Sequence, residues 1–143
     1  METKRTAEVT WRGSLADGEG TIERVTSGVF SSLGVDWRNR AEGAEEKTSP
    51  EELLAAAHAA CFSMALSAAL AKAGATPERL ESSATVTFVP GTGITKSELR
   101  VRGTVPGIRE DAFREAAEGA RDGCPVSQAL AGNVELSVDA ALA

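Results

Sequence analysis

Residues 49–73 read SPEELLAAAHAACFSMALSAALAKA, and this stretch predicts one long core helix. Its opening serine is a good N-cap, the proline after it suits the first helical position, and the two glutamates favour the positive end of the helix dipole. Gly74 is typical of the residue that ends a helix. Polar residues interrupt the apolar run, so it predicts a core helix rather than a membrane span. These residues are His58, Ser63, Ser67 and Lys72.

Alternating polar and apolar residues predict strands on both sides of this helix. The strands are expected over residues 8–12, 21–25, 29–37, 83–89, 94–105 and 134–138. An amphipathic pattern predicts a helix over residues 109–122, and a cysteine-proline pair predicts a short helix that ends near residue 131. Residues 38–47 are polar and irregular, which indicates a loop. The order of strands, long helix, hairpin, two helices and strand predicts an α+β fold in a single domain over residues 1–143.

The composition is typical of a globular protein and argues against several classes of partner. Apolar residues make up 42% and charged residues 25% of the 143 residues, and the formal net charge is −6. Because no run of Lys or Arg interrupts this acidic balance, we expect no nucleic-acid partner and no binding to an anionic membrane. The first residues lack the apolar stretch of a signal peptide, so we expect a cytoplasmic protein. A reducing cytoplasm disfavours a permanent disulfide and favours redox-active cysteines.

The chain has two cysteines, and each lies in a setting that suggests chemistry. Cys61 lies in the middle of the alanine-rich helix, where a thiol packs as a small apolar group unless a positive charge stabilises its thiolate. Cys124 directly precedes Pro125, so we expect it at a helix N-cap, next to unpaired backbone amides. A thiol there suits an attack on an oxidised Cys61, and a buried capping role explains the position equally well. Two cysteines and one histidine at such wide spacing do not predict a zinc site.

An arginine is the natural partner of a thiolate, because its charge favours the ionised sulfur and its planar fork orients a peroxide oxygen. Arg38 and Arg40 precede the long helix and are the candidates, although an ordinary solvated charge explains each. Glu51 either orients one of them through a bidentate pair or acts only as a first-turn carboxylate. Glu51 precedes Cys61 by ten residues, which is roughly 15 Å along a helix axis. If both belong to one site, a partner subunit supplies one of them, which predicts a homodimer.

Two other functions remain open from the residues alone. His58 lies three residues before Cys61 on the same helical face, and a Cys–His pair is typical of acyl transfer. A histidine that is hydrogen-bonded to backbone or to a neighbouring strand is the structural alternative. If Cys61 is unreactive, the chain is instead a non-catalytic protein that binds small hydrophobic molecules.

Two long motifs are distinctive. The first is Pro50-Glu51-Glu52-Leu53 followed by residues 56–66, AAHAACFSMAL, and the second is residues 123–128, GCPVSQ. Both resemble the motifs of the osmotically inducible protein C (OsmC) family, thiol peroxidases that are related to the organic hydroperoxide resistance (Ohr) proteins. Shorter matches extend the resemblance over nearly the whole chain. They are Trp11-Arg12-Gly13, Ser27-Gly28-Val29, Arg40-Ala41-Glu42-Gly43 and Val105-Pro106-Gly107-Ile108.

The resemblance implies a thiol-dependent peroxidase that reduces organic hydroperoxides in oxidative and osmotic stress. It implies that Cys61 is the peroxidatic cysteine and Cys124 the resolving one, and that Arg40, oriented by Glu51, holds the thiolate. The implied fold is an intertwined homodimer, with antiparallel sheets wrapped around two central helices and active sites at the subunit interface. Ala41 stands where the family usually has an aromatic residue, so Arg38 is kept as an alternative to Arg40.

The resemblance also implies the partners of the reaction. The substrate is an organic hydroperoxide, and an external dithiol restores both thiols; the family suggests a dihydrolipoamide protein as its source. No cofactor and no metal is expected. Apolar side chains beside Cys61 favour an apolar hydroperoxide over hydrogen peroxide. These are Phe62, Met64 and Leu66.

Overall fold

The computed structural model describes residues 1–43 and 46–143. The chain divides into a first compact unit, Met1–Leu53, and a second compact unit, Leu54–Ala143. The first unit contains one sheet and a short helix, and the second contains most of the long helix, a second sheet and two further helices. This arrangement of strands and helices is the predicted α+β class.

The sheet of the first unit is antiparallel throughout, in the order β1-β2-β3. Its strands are β1 (Ala7–Arg12), β2 (Glu19–Val25) and β3 (Ser31–Val35). All of them lie where alternation of polar and apolar residues predicts strands, and β3 is shorter than predicted. Gly20 of β2 lies opposite Trp11 of β1, where a Cβ atom would come within 2.8 Å of the indole. Glycine therefore allows the indole to approach the backbone of β2 closely.

A short helix, α1 (Trp37–Glu42), follows β3, so the prediction of a loop over residues 38–47 is wrong for its first part. The Asp36 side chain caps this helix, because its Oδ1 accepts hydrogen bonds from the Asn39 amide at 2.7 Å and from Asn39 Nδ2 at 2.8 Å. Six residues are too few to show an apolar period, which is why the pattern of the sequence did not predict a helix. Residues 44 and 45 of the predicted loop lie outside the described residues.

The predicted long helix is α2, which spans Pro50–Lys72. Ser49 caps it as predicted, because its Oγ accepts a hydrogen bond from the Glu52 amide at 3.1 Å. Gly74 ends it with a φ of +80°, a conformation that favours glycine. By length and composition α2 could cross a membrane, a criterion that the core helix of a globular protein also meets. Its fully buried side chains in the second unit are His58, Phe62, Leu66 and Leu70.

The sheet of the second unit has the order β4-β5-β6. Its strands are β4 (Arg79–Val89), β5 (Gly93–Thr104) and β6 (Glu135–Leu142). The β4–β5 pair is the predicted antiparallel hairpin, whereas β6 pairs with β5 in parallel. The expectation of purely antiparallel sheets is therefore wrong for this edge. The reason is the connection between β5 and β6, which carries the chain back through two helices, as a parallel pair requires.

These two helices are α3 (Glu110–Gly123) and α4 (Pro125–Leu130), close to their predicted positions. Phe113 of α3 is fully buried beside Gly103 of β5, where a Cβ atom would come within 2.6 Å of the Phe113 ring. Burial of such a side chain stabilises the fold by about 1.5–3 kcal/mol. The core of the second unit joins α2, β5 and α3. Its buried members are Phe62, Leu66, Leu70, Ala75, Leu99, Val101, Val105, Phe113, Ala117, Ala120 and Cys124.

Candidate functional site

Arg40 and Glu51 form a close ion pair in the first unit. Arg40 Nε donates to Glu51 Oε1 at 3.0 Å and to Oε2 at 3.3 Å, and Arg40 Nη2 donates to Oε1 at 2.9 Å. The Glu51 side chain is only 9% exposed, against 31% for Arg40. Because the planar guanidinium spans both oxygens, the pair holds the arginine in one orientation. This is the bidentate arrangement that the sequence suggested for Glu51.

The position of Arg40 depends on α1, in whose last turn it lies. Its guanidinium carbon lies 5.9 Å from the centroid of the Trp37 ring, a cation–π distance. Asp36 holds the other end of the helix, since its Oδ2 accepts a hydrogen bond from Lys47 Nζ at 2.8 Å. The Lys47 ammonium and the Asn39 amide groups lower the pKa of Asp36 to about 2. A helix that is capped, charge-paired and stacked in this way presents Arg40 as a pre-organised cation.

Arg38 lies in a different setting. Its side chain is 83% exposed, and Nε donates to Glu42 Oε2 at 3.3 Å, an i,i+4 pair on the surface of α1. Such pairs contribute a few tenths of a kcal/mol. The structure therefore pairs Glu51 with Arg40, and Arg38 with Glu42.

Cys61 carries a free thiol that is partly buried in the second unit. Burial raises the pKa of Cys61, the Val126 backbone amide lowers it, and the Cys124 thiol raises it. The Val126 amide and the Cys124 thiol are thus close enough to Cys61 to change the pKa of its thiol. A thiol whose pKa is raised is mostly protonated at neutral pH, so a nucleophilic role for Cys61 needs a cation that favours the thiolate.

Cys124 is a free thiol with no exposed surface, and it caps α4 as predicted. Its sulfur accepts a hydrogen bond from the Ser127 amide at 3.3 Å and lies 3.1 Å from Ser127 Oγ. Pro125 occupies the first position of the helix, where a missing N–H costs nothing. The local sequence therefore fixes a sulfur at the start of α4.

His58 is fully buried, and both of its ring nitrogens face serine hydroxyls. Nδ1 lies 2.6 Å from Ser97 Oγ on β5, and Nε2 lies 2.8 Å from Ser127 Oγ on α4. Burial lowers the pKa of His58, which favours the neutral ring. With both nitrogens engaged, the imidazole has none left to activate Cys61, so the geometry argues against a Cys–His acyl-transfer dyad. The hydrogen bond to a neighbouring strand that the structural alternative predicts is present, since Ser97 lies on β5.

The sequence analysis did not identify Ser97 and Ser127, which are 0% and 1% exposed. A signal for Ser97 was present, because it shares the inward face of β5 with Leu99 and Val101, at alternate positions. A small polar residue in such a register indicates a buried polar partner on the facing element. Within residues 1–43 and 46–143, no group of three His, Cys, Asp or Glu side chains is placed to hold a metal ion.

Two neighbouring thiols in an α+β fold, one of them at a helix N-cap, define a protein of the OsmC and Ohr type, and comparisons with known proteins agree. The sequence profile described as OsmC-like protein matches residues 43–139. The chain is 40% identical to peroxiredoxin OsmC of Escherichia coli (strain K12) over 139 residues, which cover 95% of this chain and 96% of that protein. The chain belongs to the OsmC family.

Solved structures give the same result for the fold. The crystal structure of the organic hydroperoxide resistance protein OhrB of Bacillus subtilis is similar with a TM-score of 0.71 at 27% identity, and covers 94% of this chain and 97% of its own. An organic hydroperoxide resistance protein from Elizabethkingia anophelis is similar with a TM-score of 0.73 at 26% identity, and covers 100% of both chains.

Proposed function

We propose that this chain is a thiol-dependent peroxidase that reduces organic hydroperoxides to alcohols in the defence against oxidative and osmotic stress. The observation that carries the proposal is the pairing of two free thiols, with Cys61 beside Cys124 at the start of α4. Family membership supports it, since the E. coli relative is named a peroxiredoxin. The structural relatives named above are organic hydroperoxide resistance proteins.

The reaction has two steps on the protein and one with a reductant. The Cys61 thiolate attacks the distal oxygen of the hydroperoxide, the O–O bond breaks, and the alkoxide leaves as an alcohol after it takes up a proton. Cys61 is then a sulfenic acid. The Cys124 sulfur attacks it, a disulfide forms and water leaves. An external dithiol reduces this disulfide and is itself oxidised, which restores both thiols.

Arg40 and Glu51 have the proposed role of stabilising the thiolate. Burial raises the pKa of Cys61, so the first step needs a cation that favours the ionised sulfur. Arg40 is suited to this role because Glu51 fixes its orientation. The same guanidinium can donate to the peroxide oxygens as negative charge develops on them.

The proposed substrate is a hydroperoxide with an apolar R group. Phe62 and Leu66, which follow Cys61 on α2, are fully buried, and most of the other residues in this part of α2 are alanine. An apolar environment contributes binding energy for an alkyl or aryl group and none for hydrogen peroxide. The reductant is an external dithiol, for which a dihydrolipoamide protein in the cytoplasm is the proposed source.

The proposed assembly is a homodimer, and the exposed face of α2 supports it. Met64 is 71% exposed, and the exposed alanines before and after it follow helical spacing. A helix that is apolar on every side is expected to be covered on every side. A second copy that packs on this face also agrees with the ten-residue spacing of Glu51 and Cys61, because the partner then supplies one of the two. The exposed alanines of α2 are Ala56, Ala57, Ala60, Ala68 and Ala71.

The test is consumption of cumene hydroperoxide with a dithiol, compared with hydrogen peroxide as substrate. We expect fast loss of the organic hydroperoxide, much slower loss of hydrogen peroxide, and no activity in Cys61→Ser. Cys124→Ser should complete one turnover and then stall unless a small thiol resolves it. An absence of thiol-dependent loss would contradict the proposal, and slow alkylation of Cys61 at neutral pH would then favour a protein that binds hydrophobic ligands.

A further inference from the structure

A continuous hydrogen-bond network of buried side chains ends at the Cys124 sulfur. It runs from Ser97 Oγ to His58 Nδ1 at 2.6 Å, from His58 Nε2 to Ser127 Oγ at 2.8 Å, and from Ser127 Oγ to Cys124 Sγ at 3.1 Å. Its four residues are between 0% and 1% exposed. The proposed peroxidase reaction, as described above, makes no use of His58, Ser97 or Ser127.

Three elements of the second unit hold this hydrogen-bond network in place. Ser97 comes from β5, His58 from α2, and Ser127 from the first turn of α4. The helical spacing of three residues brings Ser127 next to the sulfur of Cys124, and its backbone amide donates to the same atom at 3.3 Å. The buried core thus fixes the side chains of this network, and none of them is a mobile surface group.

The same heavy-atom positions serve two protonation states of Cys124. With a thiol, the S–H donates to Ser127 Oγ, the Ser127 O–H donates to Nε2 of the neutral ring, and Nδ1–H donates to Ser97 Oγ. With a thiolate, Nε2–H of the protonated ring donates to Ser127 Oγ, and the Ser127 O–H donates to the sulfur. A proton can therefore pass between Cys124 and His58 while only hydrogens move.

We propose that Ser127 and His58 form a proton relay that takes up the Cys124 proton as Cys124 attacks the sulfenic acid of Cys61. This inference rests on the proposed peroxidase function. In the step, the Cys124 sulfur forms a bond to the Cys61 sulfur, and the S–O bond of the sulfenic acid breaks. Cys124 is oxidised, Cys61 is reduced, and hydroxide leaves. Ser127 accepts the Cys124 proton and passes its own to His58.

The proton taken from Cys124 and the hydroxide that leaves Cys61 together amount to one water molecule, so the step balances without a further reactant. Burial disfavours the charged ring, so the resting state of the relay is the one with a neutral His58. Ser127 touches the reacting sulfur directly, whereas His58 acts on it through Ser127. Ser97 holds the other ring nitrogen, and its Oγ accepts from Nδ1–H in the tautomer whose Nε2 takes up a proton.

The test separates the two chemical steps in a single turnover with cumene hydroperoxide. Rapid quenching with dimedone, followed by mass spectrometry, reports formation and loss of the Cys61 sulfenic acid. We expect Ser127→Ala to leave sulfenic acid formation unchanged and to slow disulfide formation by about 100-fold. Ser127→Thr, which keeps the hydroxyl, should restore most of the rate. Ser63→Ala is the matched control, because Ser63 Oγ bonds Ala59 O and Ser82 Oγ, outside the relay.

The wild-type chain provides a second measurement that does not depend on the folding of a variant. Disulfide formation should be slower in deuterium oxide, with a rate that reports more than one transferred proton, whereas sulfenic acid formation should change little. An unchanged disulfide step in deuterium oxide, or a Ser127→Ala variant that resolves at the wild-type rate, would overturn the relay alone. If the wild-type chain forms no sulfenic acid at Cys61, the peroxidase function and the relay both fail.

Discussion

Replacement of Arg40 by lysine keeps the charge and removes the planar fork, which makes it the sharpest test of the Arg40–Glu51 pair. Arg40 contacts both oxygens of Glu51, at 2.9–3.3 Å, and a lysine ammonium can replace one of its two donor groups. One charge-assisted hydrogen bond is worth about 1.5–3 kcal/mol. Since the Arg40 side chain is 31% exposed, solvent screening reduces the loss to about 1–2 kcal/mol.

If this loss of interaction free energy reduces the stabilisation of the thiolate and of the developing oxyanion by the same amount, kcat/KM for cumene hydroperoxide falls by about 5- to 30-fold in Arg40→Lys. The assay is steady-state consumption of the hydroperoxide, beside the pH dependence of Cys61 alkylation, which should shift to higher pH. Arg38→Lys is the matched control, because Arg38 is 83% exposed and pairs with Glu42 on the surface of α1. Equal losses in both variants, or wild-type kcat/KM in Arg40→Lys, would refute the reasoning.

Three further predictions follow from the core and from the exposed face of α2. Burial lowers the pKa of His58, the one histidine of the sequence, in the folded state. The neutral ring therefore contributes fully to the free energy of unfolding at pH values above the pKa of His58 in the unfolded state, and this contribution is lost as the pH falls through its pKa in the folded state. Urea unfolding between pH 7 and 5 should show a slope of at most about 1.4 kcal/mol per pH unit, which His58→Asn abolishes; a slope that survives would assign it to other groups. Gly103→Ala places a Cβ atom within 2.6 Å of the Phe113 ring and should cost about 1–3 kcal/mol in the same experiment, whereas an unchanged midpoint would mean that the ring moves aside. Met64→Lys should convert the proposed dimer to a monomer in sedimentation without lowering the unfolding free energy of the chain, and a variant that stays dimeric would place the interface elsewhere.

The elements that the sequence predicts well are those with local signals. Ser49 and Gly74 delimit α2 because each satisfies backbone groups at a helix end, and that requirement depends only on adjacent residues. The cap at Cys124 follows from the proline after it in the same way. The hairpin of β4 and β5 follows from alternation around a turn.

The features that the sequence does not predict depend on distant partners. The parallel pairing of β6 is decided by the path of the chain through α3 and α4, which no local pattern of β6 contains. The short helix α1 is held by Asp36, whose second oxygen bonds Lys47, eleven residues away. His58 and Ser97 are 39 residues apart, so their contact exists only once α2 has packed on the sheet. The catalytic roles of the site residues remain predictions for the same reason.

The stability of the core does not require the hydrogen-bond network from Ser97 to Cys124. His58 lies on the same buried stripe of α2 as Phe62, and Ser97 lies on the same inward face of β5 as Leu99. Apolar residues would pack at both positions, and replacing a buried polar network by well-packed apolar groups is often neutral or stabilising.

Burial of an imidazole and two hydroxyls is tolerated only because each finds a partner, and among the described residues no buried side-chain nitrogen or oxygen lacks one. Such a network places strict demands on the packing of α2, β5 and α4 and returns little stability. Within residues 1–43 and 46–143, the reactive group that this network contacts is the Cys124 sulfur. Control of the protonation of that sulfur accounts for a polar path in an otherwise apolar core, and a purely structural role does not.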